Sequence, residues 1–153
     1  MKEGHRPWAV AAATLAADRI TKHLTAGLPP EGTVLIPGVI RLRPVQNRGI
    51  AFSFLSGRPE LLGVLSLVII AGAFWYLRNK RLSLLTGIGL MLMLGGAAGN
   101  MLDRFFTGYV PDMIELMFVH FAVFNIADAC LTVGCALVMI RLIWPEERKK
   151  ADG

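Results

Sequence analysis

Four segments of the chain are mostly apolar and long enough to cross a lipid bilayer as helices. A bilayer-spanning helix needs roughly 20 mostly apolar residues in succession. The four segments lie at about 8–25, 60–77, 82–102 and 124–143. The first is interrupted by Asp18, Arg19 and Lys22, whereas the other three hold few charges. The pattern predicts an all-α integral membrane protein with four transmembrane helices in a single polytopic domain, 1–153.

The first segment has a second interpretation. Lys2 and Arg6, followed by an apolar stretch and then Leu15-Ala16-Ala17, resemble a secretory signal peptide with its cleavage site. Three further apolar segments follow, so we expect the first to be retained as a membrane helix, with the cleaved signal peptide as the alternative.

The segment between the first two spans, 26–59, contains a short stretch with strand periodicity. Apolar and basic residues alternate from Ile40 to Arg43, which is typical of a strand with one apolar and one charged face. We predict a strand at 39–45 on the membrane surface, with its arginines toward phosphate and water. A second apolar stretch, 113–123, is too short to span and is expected to rest at the interface.

Basic residues near the ends of the spans indicate the orientation of the chain. With both termini cytoplasmic, more of the basic residues lie on the inner side, as the positive-inside rule requires. The tight turn between the second and third spans carries three of them, Arg78, Lys80 and Arg81. In a chain that is 54% hydrophobic, membrane-flanking basic residues account for the net charge of +5. We therefore expect membrane lipid, and no nucleic acid, as a partner.

Polar residues in and beside the apolar segments all fall near the outer leaflet in this topology. They are Asp18, Lys22, Asn100, Asp103, Arg104, Asp112, Asn125 and Asp128. An ionisable side chain at the bilayer centre costs about 3 kcal/mol on insertion scales, so such residues are functional candidates. Random polar decoration would have spread over both leaflets.

Several of these residues also have a purely structural interpretation. Asp18 and Lys22 are spaced as an i, i+4 ion pair near a helix end, with the Lys22 ammonium extending to water. Asp103 and Arg104 suit a charge pair at a helix terminus. Asn125 suits an N-cap of the fourth span.

Asp112 and Asp128 have no cation that the spacing assigns to them, and both suit peptide hydrolysis by paired carboxylates. Two neighbouring carboxylates share one proton, because both cannot ionise easily. The ionised member takes a proton from a water molecule, and the protonated member stabilises the developing oxyanion. This chemistry needs no metal and no cofactor, so we expect neither. The sequence does not by itself place the two aspartates together.

Two other classes of function remain open at this point. Intramembrane acids also serve as relays in proton- or ion-coupled transporters, although such acids are expected at staggered depths. A non-catalytic scaffold would use the small-residue spacing of Gly95 and Gly99 for close helix packing and would tolerate loss of either aspartate.

Five separated motifs give the chain its resemblance to a known family. They are DRITK at 18–22, NRGIAFS at 47–53, GGAAGNMLDR at 95–104, VPDM at 110–113 and FNIAD at 124–128. In these residues, and in their order, the chain resembles the lipoprotein signal peptidase family, also called signal peptidase II. One departure is Pro111, where the family usually has valine.

The resemblance implies a bacterial inner-membrane aspartyl endopeptidase that removes signal peptides from prolipoproteins. Cleavage is expected just before a cysteine that carries a diacylglyceryl group. Asp112 and Asp128 match the family's catalytic dyad. The residues expected to bind substrate or support the site are Asp18, Lys22, Asn47, Gly49, Asn100, Asp103, Arg104 and Asn125. The resemblance also implies a small extracytoplasmic β-sheet cradle, and we expect a monomer whose active site lies near the outer leaflet.

Overall fold

The computed structural model describes residues 7–49, 58–80 and 82–144. The helices are α1 (Trp8–Thr25), α2 (Pro59–Leu77), α3 (Leu84–Phe106) and α4 (Ile126–Ile143). The strands are β1 (Thr33–Ile36), β2 (Ile40–Asn47) and β3 (Val110–Leu116). Lys2 and Arg6, named above for the signal-peptide interpretation, and Arg81, named for orientation, lie outside the described residues.

Three of the four helices, α2, α3 and α4, are long and apolar enough to cross a membrane. Helix α1 has the predicted bounds, but Asp18, Arg19 and Lys22 make it less apolar than the other three. The prediction of four transmembrane helices is therefore confirmed for three, and the membrane crossing of α1 stays a prediction.

Side-chain caps determine where two of the helices begin. Helix α3 starts after Ser83, whose side chain accepts a hydrogen bond from the Thr86 backbone N–H at 3.3 Å. Helix α4 starts after Asn125, which forms a reciprocal capping box with Asp128. The N-cap interpretation of Asn125 is thus confirmed. The predicted span at 82–102 ends too early, because α3 continues through the polar residues up to Phe106.

Glycines on α3 let the neighbouring helices approach closely. A Cβ atom added at Gly95 would lie 2.6 Å from the carbonyl oxygen of Ala11 on α1. A Cβ at Gly96 would lie 2.5 Å from the carbonyl oxygen of Ala127 on α4. Backbones this close exclude any side chain, so α3 is the central helix on which α1 and α4 pack.

The burial pattern is inverted relative to a soluble protein. Large apolar side chains cover the outside, such as Val68 at 63% exposure on α2 and Leu142 at 69% on α4. The buried polar residues include Asp18, Lys22, Asn100, Asp103, Asp112 and Asn125. An apolar exterior around a polar interior suits a surround of lipid, where polar groups must find partners within the protein.

The three strands form one antiparallel sheet in the order β1-β2-β3. Strand β2 covers most of the predicted strand at 39–45 and extends to Asn47. Its register against β3 shifts between Leu42 and Val45, and Pro44, which has no N–H to donate, lies in this irregularity. The shift reverses the alternation of faces, so Arg41 and Asn47 lie on opposite faces of the sheet.

Strand β3 was not predicted, and it changes the expected setting of Asp112. The residue lies within a strand and pairs with Val45, in the short connection between the third and fourth predicted spans. The stretch expected at the interface, 113–123, likewise begins inside β3. The segment from Val110 to Leu116 is buried or half-buried throughout, so its sequence shows no alternation of apolar and polar residues.

Candidate active site

Asn125 brings together the two aspartates on which the sequence analysis centred. Asp112 comes from β3 and is 3% exposed, and Asp128 lies in the first turn of α4. The Asn125 side-chain Nδ2 donates to Asp112 Oδ1 at 2.7 Å. The Asn125 backbone N–H donates to Asp128 Oδ2 at 3.3 Å. One residue at the start of α4 thus contacts both carboxylates.

The orientation of both asparagine amides at this site is determined by their partners. Asn125 Oδ1 accepts the Asp128 backbone N–H at 2.9 Å, which directs the Asn125 amino group toward Asp112 and Asn100 Oδ1. Asn100 Oδ1 also accepts from Lys22 Nζ at 3.2 Å. The Asn100 amino group therefore faces Asp128 Oδ1, to which it donates at 2.8 Å. The opposite amide orientations would place donors against donors.

Asn47, at the end of β2, supports Asp112 from the other side. Its Nδ2 donates to Asp112 Oδ2 at 2.9 Å, and its Oδ1 accepts the Gly49 backbone N–H at 3.0 Å. The rest of the loop motif, 50–53, lies outside the described residues. Both oxygens of the Asp112 carboxylate therefore accept a hydrogen bond from an asparagine.

The pKa of Asp112 is raised from 3.8 to about 6. Burial is the largest cause, because it disfavours the charged form, and the negative charge of Asp128 raises the pKa further. Hydrogen bonds from Asn47 and Asn125 act in the opposite direction. Asp112 thus holds its proton more readily than an ordinary carboxylic acid.

Arg104 connects the end of α3 to the loop after β2. Its guanidinium donates to the Gly49 carbonyl oxygen at 3.1 Å and to the Asn100 carbonyl oxygen at 3.2 Å. Its positive charge also interacts with both Asp112 and Asp128. Arg104 therefore places a cation beside the two carboxylates, which the sequence spacing did not indicate.

A group of four charges, three buried and one half-buried, connects α1 to α3. Lys22 Nζ donates to Asp18 Oδ2 at 2.8 Å and to Asp103 Oδ2 at 2.6 Å. Arg19 forms ion pairs with the same two acids. Lys22 is 6% exposed, so the interpretation that its ammonium extends to water is wrong. Asp103 pairs with Lys22 and Arg19, so its expected pairing with Arg104 is also wrong.

Arg19 is the member of this group that sequence reasoning did not single out. Its guanidinium also donates to the Gly99 carbonyl oxygen at 3.3 Å. In the fold the signal is charge balance, because Asp18 and Asp103 share Lys22 and two acids need a second cation. Two buried acids with one cation would leave an unpaired charge in a low-dielectric interior.

Asp18 also connects this group to α4. Its Oδ1 accepts the Ala127 backbone N–H at 3.3 Å, which is one of the free donors at the start of α4. A Cβ atom added at Gly99 would lie 2.5 Å from Asp18 Oδ2, so only glycine leaves room for this carboxylate. The position of the Asp128 turn therefore depends on a residue of α1.

A cavity of about 230 Å³ opens beside Asp112. Its lining includes Asp112 and Lys22, together with Gln46, Thr25 and Tyr109. One water molecule occupies about 30 Å³ in the liquid, so the cavity has room for water and for a short length of peptide. It gives reactants access to the Asp112 carboxylate.

Apolar helices around a pair of acids, Asp112 buried and Asp128 half-buried, with a small sheet at the same end, define a multi-pass membrane protein with a candidate hydrolytic centre. Residues 10–144 match the family described as Signal peptidase (SPase) II. The chain belongs to the signal peptidase II family. It is therefore a peptidase of the bacterial membrane, and the transporter alternative is not favoured.

Individual relatives agree with this assignment. A lipoprotein signal peptidase of Streptococcus thermophilus (strain CNRZ 1066) is 44% identical over 113 residues, covering 73% of each chain. A lipoprotein signal peptidase of Thermosynechococcus vestitus is 37% identical over 143 residues, covering 90% of this chain and 88% of its own. The fold resembles a solved bacterial membrane enzyme with a TM-score of 0.83 and 27% identity, over 95% of this chain and 92% of the other.

Proposed function

We propose that this peptidase removes signal peptides from prolipoproteins by aspartyl chemistry, with Asp112 and Asp128 as its catalytic pair. The observation that carries the proposal is the contact of Asn125 with both carboxylates. The curated relatives, which are lipoprotein signal peptidases, support prolipoproteins as the substrate class. The cleaved bond is the one before the diacylglyceryl-modified cysteine.

The raised pKa of Asp112 makes it the member that holds the shared proton. Ionised Asp128 takes a proton from a water molecule as the water oxygen attacks the scissile carbonyl carbon. Protonated Asp112 donates to the carbonyl oxygen and stabilises the charge that develops there. When the C–N bond breaks, the proton held by Asp128 passes to the leaving amine.

Three neighbours hold this pair in position. Asn100 and Asn125 orient Asp128 and Asp112 through the hydrogen bonds described above. Arg104 supplies a positive charge that offsets the net negative charge of the pair. Asn47 keeps Asp112 on the sheet, beside the cavity. No metal takes part in this scheme, so chelators are expected to leave the rate unchanged.

The placement of these groups and the basic residues near the span ends together support an orientation in the membrane. The buried charges lie toward the C-terminal ends of α1 and α3 and at the N-terminal end of α4, so they share one end of the helix bundle. With both termini cytoplasmic and α1 as a fourth span, this end lies near the outer leaflet. A monomer then presents the dyad at the depth of a lipid-anchored cleavage site.

The direct test uses one prolipoprotein precursor in two forms, with and without the diacylglyceryl group on its cysteine. The protein is reconstituted in nanodiscs, and the product termini are identified by mass spectrometry, with and without EDTA. We expect cleavage immediately before the modified cysteine, little cleavage of the unmodified precursor, and no effect of EDTA. Equal cleavage of both forms would contradict the proposed substrate, and inhibition by EDTA would contradict the metal-free mechanism.

A further inference from the structure

Two arginines on β2 share one glutamate on β3, on the face of the sheet away from the aspartates. Arg41 Nε donates to Glu115 Oε2 at 2.6 Å, and Arg43 Nε donates to the same oxygen at 3.2 Å. Asp112 and Glu115 are an odd number of residues apart on β3, so their side chains lie on opposite faces. The register shift at Pro44 likewise separates these arginines from Asn47, which contacts Asp112.

The arrangement leaves binding capacity on both guanidinium groups. Each arginine uses only its Nε for Glu115, and within the described residues the terminal nitrogens of neither have a hydrogen-bond partner. The side chains of Arg41 and Arg43 are 36% and 38% exposed, so these nitrogens are accessible. One glutamate balances one arginine, and the cluster therefore keeps an excess positive charge.

Glu115 holds the arginines in a fixed geometry. The hydrogen bond from Arg41 is the largest of the causes that lower the pKa of Glu115, so this carboxylate stays ionised in neutral and mildly acidic conditions. A guanidinium oriented in advance loses less entropy when it binds an anion, and its planar donor fork matches phosphate oxygens.

The surroundings distinguish between a lipid and a free ion. A cavity of about 300 Å³ lies against Arg41 and Glu115 and is lined otherwise by residues 116–121. Apart from His120, the side chains of this rim are apolar, and Phe118 and Phe121 are 67% and 62% exposed. Aromatic side chains of this kind are enriched at membrane–water interfaces, where acyl chains meet headgroups. Nothing in the chemistry of inorganic phosphate requires such a rim.

We propose that Arg41 and Arg43, held by Glu115, bind the phosphodiester of an anionic phospholipid beside this apolar rim. Through this site, the face of the sheet that carries the arginines is held on the outer leaflet. The opposite face carries Asp112, one member of the catalytic pair. The lipid is a membrane constituent rather than a substrate, so the site is independent of the proposed proteolysis.

Native mass spectrometry of the detergent-solubilised protein, titrated with dioleoylphosphatidylglycerol, tests the proposal. The test variant is R41Q/R43Q, and the matched control R58Q/R78Q removes two arginines elsewhere on the chain. The double loss of charge-assisted phosphate contacts is expected to weaken lipid binding about tenfold or more, whereas the control keeps wild-type binding. Inorganic phosphate is expected not to displace the lipid.

Three results would overturn the inference. Wild-type lipid binding by R41Q/R43Q would show that these arginines are not the site. An equal loss in the control would show that only overall charge matters, and displacement by inorganic phosphate would show a site for the free ion. If R41Q/R43Q does not fold, R41K/R43K carries the same test, because lysine keeps the charge but lacks the donor fork, and weaker binding is again expected.

Discussion

Asn125 Nδ2 lies 2.7 Å from Asp112 Oδ1, and this hydrogen bond connects the first residue before α4 to the edge strand of the sheet. The same residue caps α4 and accepts the backbone N–H of Asp128. The cap of a helix and the alignment of two acids are therefore one structural feature. Loss of Asn125 is expected to affect both.

These two effects can be separated by comparing Asn125→Ala with Ser83→Ala, which removes a helix cap at the opposite end of the bundle. Both Asn125→Ala and Ser83→Ala remove an N-cap side chain, which typically costs about 1 kcal/mol of stability. Only Asn125→Ala also removes a hydrogen bond to Asp112, and misplaced catalytic groups cost on the order of a hundredfold in rate. Initial rates of precursor cleavage and unfolding temperatures check this. Similar rates in the two variants would contradict a positioning role for Asn125.

The raised pKa of Asp112 predicts that stability depends on pH. Its pKa is 3.8 ordinarily and about 6 in the fold, so its contribution is fully present below 3.8 and is lost as the pH rises through about 6. At roughly 1.4 kcal/mol for each pH unit, the change amounts to about 3 kcal/mol. About half of this change falls between pH 5 and pH 8, and thermal unfolding at these two values is expected to show wild type more stable at pH 5.

Asp112→Asn is the control for this pH dependence. The amide does not titrate, so the variant is expected to lose the stability difference that wild type shows across this range. A difference of the same size in the variant would assign the effect to another group.

Gly99→Ala tests the close approach of α1 and α3. The new methyl group would lie 2.5 Å from Asp18 Oδ2 and would displace a carboxylate that contacts Lys22 and the start of α4. Overpacking of this kind typically costs about 1–3 kcal/mol, and we expect lower activity as well. Gly72→Ala on α2, where nothing lies within 4 Å of the added carbon, is the matched control. Equal unfolding temperatures for the two variants would contradict the account.

Lys22→Met removes the cation that contacts Asp18, Asp103 and Asn100 together. Breaking a buried ion pair by removing one partner typically costs about 3–5 kcal/mol, and the Asn100 side-chain oxygen loses one of its two donors. We expect a large drop in unfolding temperature and in cleavage rate. Lys80→Met, just after α2, is the control and is expected to leave the unfolding temperature and the cleavage rate unchanged. If Lys22→Met were as stable as Lys80→Met, the role assigned to Lys22 in the group of charges would be contradicted.

The helices were predictable from the sequence because their apolar segments are long and bounded by charge. The bounds of α1 match the prediction, and those of α2 and α4 differ from it only slightly. The end of α3 was missed because Asp103 and Arg104 interrupt the apolar segment in the sequence. In the fold, both side chains find polar partners, so the helix continues past them.

The candidate site was predictable residue by residue but not as a geometry. Motif resemblance identified Asp112, Asp128 and Asn125, but no spacing in the sequence relates a strand to a helix that follows it. Apolar and polar residues do not alternate along β3, because the strand is buried or half-buried along its whole length. The place of Arg19 depends on contacts between residues about eighty positions apart, which no local pattern records.

The central claim is that Asp112 and Asp128 act as one catalytic unit, and a double-mutant cycle tests it most directly. Cleavage of the diacylglyceryl-modified precursor is measured for wild type, Asp112→Asn, Asp128→Asn and the double variant, each shown to be folded. Residues that act as a unit are non-additive, so each single variant is expected to lose about as much activity as the double variant. Near-normal activity in either single variant, or losses that simply add, would contradict the account.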